Sequence, residues 1–210
     1  PEATVDAVVE FVRVMRDRGL YLRQELPPQA LQVAHCALYA SEVRQGGHSR
    51  FLGARPPGDG VLDAIEEGLA SMAAGGFSAI FEGLRTWIEI DAGALDGQTG
   101  ADGGAALAEL DALFREMDEA RPLIHTIARW IEGLPNLQVV DDATIGHLFT
   151  HTARLNPQRG ARMAARSLGT IEGMLGDPLA VGAGMAVLAV DPDAPALSMD
   201  LPGRGGSDGD

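Results

Sequence analysis

Apolar residues recur at three- and four-residue steps through most of this sequence, a spacing that buries them on one side of successive helices. The clearest run is Phe77, Ile80, Phe81, Leu84, Trp87 and Ile88, which predicts a helix at the centre of the core. Val5, Val8, Val9, Val12 and Met15 predict another ahead of Gly19. Leu62, Ile65, Leu69 and Met72 predict a third, capped by Asp59 and ended by Gly75 and Gly76. After Pro27 and Pro28, an Ala- and Leu-rich helix is expected over about 29–45, stopped by Gly46 and Gly47. Leu107, Leu110, Phe114 and Met117 mark a helix beyond a glycine-rich loop at 92–104, and Pro122 starts one with Leu123, Ile124, Ile127 and Ile131 inside.

The last third is less regular. Residues 137–140 could form a short strand, Asp141 or Asp142 caps a helix to Leu155, and Asn156 with Pro157 opens another. Residues 185–190 and 196–201, around Asp191, Pro192 and Asp193, predict a terminal β-hairpin. The expected class is therefore mainly α: a helical domain over 1–135, a small C-terminal α+β region over 136–202, and a disordered tail over 203–210. At 210 residues, 46% of them hydrophobic, the chain can bury a core as one domain or two small ones.

Charge narrows the partners. Thirty Asp and Glu against sixteen basic residues, all Arg, leave a net charge of -14, which disfavours direct binding to nucleic acid or an anionic membrane and favours a basic partner. Residues 1–60 hold seven acids and seven arginines, whereas 61–150 hold sixteen acids and four arginines. The helix after the glycine-rich loop carries Glu109, Asp111, Glu116, Asp118 and Glu119, a candidate partner-binding surface. The alternative reading of these five is a solvated acidic exterior that keeps the chain soluble.

The single cysteine, Cys36, cannot close an intramolecular disulfide, and there is no Cys cluster for zinc or iron-sulfur. Charges run through residues 1–19 where a secretory signal has an apolar centre, and no segment approaches the roughly 20 apolar residues of a membrane span. These features lead to the expectation of a cytoplasmic protein without a cofactor.

The stretch from Tyr39 to Leu52 is the most conspicuous local motif. Glu42 lies one helical turn beyond Leu38 and faces partly inward, where its carboxylate would accept N–H groups near His48 to Arg50 across the turn made by Gly46 and Gly47. Catalysis or ligand contact by Glu42 and His48 is the other reading. The stretch resembles the signature of the DNA-mimic protein domain family: Glu42, Val43, Gly46, Gly47 and Phe51 match in place, and helices from Val61 and Phe77 follow at the expected distance. The resemblance covers about 31–89 and departs at Gln45, His48, Arg50 and Gly53. It implies a mostly helical, acidic protein that forms a homodimer, in a family of which one member imitates the charge pattern of duplex DNA to occupy a DNA-binding protein. Such mimicry rests on exposed carboxylates, not on the Gly-Gly motif itself.

Three smaller constellations remain. His147 and His151, four apart on a helix, could supply two metal ligands or form an exposed pair. Arg159, Arg162 and Arg166 share one side of the helix after Pro157, where they could hold a phosphate or an acidic partner, or pair with the chain's own acidic helices or a second copy. His35 and Cys36 are neighbours pointing about 100° apart and are expected to pack. The leading expectation is a non-enzymatic acidic interaction protein, a DNA mimic sequestering a basic nucleic-acid-binding protein. The alternative is a metal-dependent, hydrolase-like enzyme using Glu42 and His48 or His147 and His151.

Overall fold

Val5, Val8, Val12 and Met15, each at most 2% exposed, line the inner side of the first helix, α1 (Glu2–Asp17). In the computed structural model, residues 1–54, 60–90, 101–135, 137–167 and 187–188 are described. Among them the chain is mainly helical: α2 (Pro28–Ala54), α3 (Val61–Ser71), α4 (Gly75–Ile90), α5 (Ala101–Ala120), α6 (Leu123–Glu132), α7 (Asp142–Arg154) and α8 (Arg159–Ser167) follow in order. A single 3-10 turn, Arg23–Glu25, connects α1 to α2. No helix among the described residues is long and apolar enough to cross a membrane.

The centre of the core is α2, not α4. Helix α2 packs against α1, α3, α5 and α6, and Val33, Ala34, Cys36, Tyr39 and Ala40 are all buried along it. A helix apolar on most sides belongs inside; the strong one-sided stripe of α4 marks a helix with one face to solvent instead. Phe77, Ile80, Phe81 and Leu84 are buried there, while Trp87 and Ile88 are only partly covered. Tyr39 stands edge-on to Phe51, Phe81 and Phe114 at ring separations of 5.2, 5.2 and 5.6 Å, which ties α2, α4 and α5 together. Such pairs contribute about 0.5–1.5 kcal/mol each beyond the area they cover.

Three boundaries differ from the sequence reading. Gly75 and Gly76 do not end α3 but begin α4; α3 stops at Ser71, and Ala73 makes the left-handed turn at φ 51°, with the Ala74 N–H bonded to the Leu69 carbonyl at 3.0 Å. At Gly76 a Cβ would meet the end of the Met117 side chain of α5, which would have to move aside. Part of the expected loop at 92–104 is helical, because α5 begins at Ala101. Helix α2 continues past its glycines, bent at Gly46 and Gly47, to Ala54.

Toward the C-terminus, Asp141 is the residue that caps α7, its carboxylate accepting the Thr144 N–H at 2.8 Å. Ile145, Phe149 and Ala153 join the same core as α1, and Phe149 meets Phe11 at 5.6 Å. The two-residue strands β1 (Gln138–Val139) and β2 (Val187–Leu188) pair antiparallel. The other arm of the expected hairpin, 196–201, the tail 203–210 and most of the expected α+β region lie outside the described residues.

Candidate functional site

The Gly-Gly turn and α5 form one assembly. Gly46 is extended at φ -167°, a conformation open to any residue, but Gly47 has φ 76° and a Cβ there would collide with the Asp111 carboxylate. The bare backbone lets Asp111 of α5 reach the restarted helix. Its Oδ1 accepts the His48 backbone N–H at 2.7 Å and lies 2.6 Å from His48 Nδ1, while the Tyr39 hydroxyl is 2.9 Å from His48 Nε2. The carboxylate can only accept, so Nδ1 carries the ring proton and Nε2 accepts from Tyr39.

This arrangement is structural. His48 and Tyr39 are both fully buried. Burial pulls the His48 imidazole below its ordinary pKa, and the opposing hydrogen bond that the ring donates to Asp111 does not overturn that, so the ring is neutral near pH 7. Burial, with Asp111 nearby, pushes the Tyr39 hydroxyl up. A neutral imidazole with both nitrogens engaged and no access to solvent has no proton to exchange with a substrate.

Glu42 does not take the capping role expected of it. Asp111 supplies that cap from across the core, and Glu42 accepts from Arg50 Nε at 2.7 Å, stapling the two sides of the bend. Phe51 is buried against Tyr39, as a residue turning back into the core should be.

The five acidic residues singled out on α5 divide by side. Glu109, Glu116 and Glu119 are exposed. Asp111 and Asp118 are half-buried and engaged: Asp118 accepts from Arg44 Nε and Nη2 at 2.6 and 2.9 Å and also from the Leu123 N–H at 2.8 Å, fastening α5 to α2 and to the start of α6. The outward array therefore consists of three glutamates instead of five groups. Sequence reasoning missed His48 as the partner of Asp111 and Arg44 as the partner of Asp118.

The remaining constellations are dispersed. His147 and His151 are exposed on α7, and among the described residues no group of three His, Cys, Asp or Glu side chains is placed to hold a metal ion. His35 and Cys36 are buried in α2. Arg162 pairs not with the acidic middle of the chain but with Glu25, at 2.5 and 2.7 Å, and it also donates to the Leu20 carbonyl at 2.8 Å. Arg159 donates to the Arg18 carbonyl at 2.7 Å, and Arg166 is exposed.

A bent central helix, locked at its Gly-Gly turn to α5, defines a mainly helical domain. Residues 24–134, more than half of the chain, match the DMP19-like protein family, and the chain belongs to that family. The match spans α2 to α6 and includes both the Gly-Gly turn and α5. Comparison with curated proteins and with solved structures gives no match.

Proposed function

We infer that this chain is a non-enzymatic, acidic interaction protein that acts as a DNA mimic, offering the outer side of α5 to a basic, nucleic-acid-binding protein. The observation that carries the reading is the division of α5: Glu109, Glu116 and Glu119 are exposed, while Asp111 and Asp118 anchor the same helix from its other side. An anchored helix holds its carboxylates at fixed spacing. By helical rise Glu109 and Glu116 stand about 10 Å apart along the axis, close to three base-pair steps of about 3.4 Å. Arginine and lysine side chains placed for phosphates would meet carboxylates at a compatible repeat, and the net charge of -14 would steer such a partner in. Membership of the DMP19-like family supports the same reading.

The test is capture of a basic DNA-binding protein from cell extract at low and high salt. Capture is expected to weaken steeply with salt and to be lost when Glu109→Arg, Glu116→Arg and Glu119→Arg are combined, with the helical circular dichroism unchanged. Undiminished capture by that variant rejects the surface. Glu42 and His48 give an enzymatic reading no support, because one is paired with Arg50 and the other is sealed between Tyr39 and Asp111.

A further inference from the structure

Residues 151–167 hold four arginines and no carboxylate, in a chain of net charge -14. Three of the four, Arg154, Arg159 and Arg166, line with Arg18 a cleft of about 550 Å³ between the end of α1, α7 and α8. Among the described residues the guanidinium groups of Arg18, Arg154 and Arg166 meet no carboxylate. The one acid in the wall, Asp17, faces Arg13 at 3.8 Å.

The walls are fixed by hydrogen bonds to three successive carbonyls. Arg159 Nε donates to Arg18, Asn156 Nδ2 to Gly19 and Arg162 Nη1 to Leu20, at 2.7, 2.7 and 2.8 Å, so α8 is fastened to the end of α1. A basic residue at a helix C-terminus ordinarily offsets that end's partial negative charge, roughly half a unit. Four guanidinium charges exceed what the helix ends here and Asp17 can offset, and all four residues line the cleft. Met163 lies at the same cleft, 48% exposed, an apolar surface beside the charges.

We propose that this cleft binds a small phosphomonoester, its phosphate held by the guanidinium forks of Arg18, Arg154, Arg159 and Arg166 and its organic body resting on Met163. Guanidinium groups match phosphate oxygens in pairs. The volume falls in the range of small-molecule sites, and the excess of acid elsewhere on the chain opposes an extended polyanion that would run beyond the cleft. The cleft residues lie outside the family match of 24–134, so the site is separate from the α5 surface.

Calorimetric titration of the full chain with AMP tests this, with adenosine, inorganic phosphate and a single-stranded DNA oligomer as comparisons. AMP is expected to bind in the micromolar range, adenosine not detectably, and phosphate at least about tenfold more weakly, because it lacks the organic body. Combining Arg154→Ala and Arg166→Ala should weaken AMP by about 100-fold, since two charged hydrogen-bonding partners are lost. The Met163 methyl resonance should shift with AMP in the unaltered chain, a readout independent of any variant. AMP binding no tighter than about 1 mM, equal binding by the double variant, phosphate matching AMP, or DNA binding more tightly than AMP would each overturn the proposal.

Discussion

On the inner side of α5, Asp111 and Asp118 receive hydrogen bonds from α2 and α6; on the outer side, Glu109, Glu116 and Glu119 meet water. The groups are chemically alike and within eleven residues of one another, yet two hold the fold and three are exposed. The contrast shows that an acidic helix has to be divided by facing before its charge can be given a function. It also explains why the outer array can be rigid: the carboxylates that face in fix the helix that carries those facing out.

The strongest test of the inner side is Gly47→Ala. The residue would sit in the left-handed region and its Cβ would push into Asp111, so the His48 cap and the bend of α2 would be strained together. The expected cost is about 4 kcal/mol by urea unfolding. A cost below about 1 kcal/mol would mean that the turn can relax, and the division of α5 would lose its structural half.

Acid should reach the same interior next. His35, 4% exposed in α2, has its pKa lowered to about 4 by burial and by the charges of Arg23 and Arg16, and its Nδ1 meets no hydrogen-bond partner among the described residues. His48 is lowered too, by burial. Both imidazoles are neutral above their unfolded pKa of about 6.5, where they leave stability independent of pH. Below it the unfolded chain takes up protons that the folded chain refuses, so stability falls as pH drops. For His35 the loss reaches about 3 kcal/mol near its folded pKa. Unfolding of His35→Leu should be nearly unchanged at pH 7 and should lose up to one proton of slope between 6.5 and 4. An unaltered slope in that variant would place the titrating group elsewhere.

Asp111→Ala comes third, at about 2 kcal/mol, because it leaves the His48 N–H and Nδ1–H buried without an acceptor. Asp111→Asn keeps an oxygen at that position and should cost about half as much, with the same unfolding measurement separating loss of the cap from loss of the charge.

Much of this division was legible in the sequence. At 100° per residue, Asp111 and Asp118 fall within about 60° of Phe114, whereas Glu109, Glu116 and Glu119 fall about 140–160° away from it. Periodicity alone, applied to the acids as well as to the apolar stripe, separates the two sets. The helices were legible for the same reason, and so was a cap at Asp141 or Asp142, of which the structure uses Asp141. The centrality of α2 was not, because a helix buried on most sides has no stripe for periodicity to detect. Nor was the cap on His48, since Asp111 lies 63 residues away and reaches it only through the packing of α2 on α5. Gly75 and Gly76 resemble a helix stop, while here both lie in the first turn of α4 and Ala73 makes the turn.

The smallest effect draws the line most finely. Asp118→Ala removes both Arg44 contacts and the acceptor for the Leu123 N–H, and should cost about 1 kcal/mol, since the Arg44 pair is partly exposed and screened while the cap on α6 is a single hydrogen bond. Glu116→Ala, two residues earlier on the same helix, should stay within about 0.5 kcal/mol in unfolding and instead weaken capture of the basic partner at low salt. The two measurements are expected to cross: Asp118 moves stability more than capture, Glu116 capture more than stability. Were both substitutions to change stability equally, the outer glutamates would be part of the scaffold as well, and a decoy surface independent of the fold would have to be sought on α3 or α4, where Glu67, Glu82 and Glu89 are also exposed.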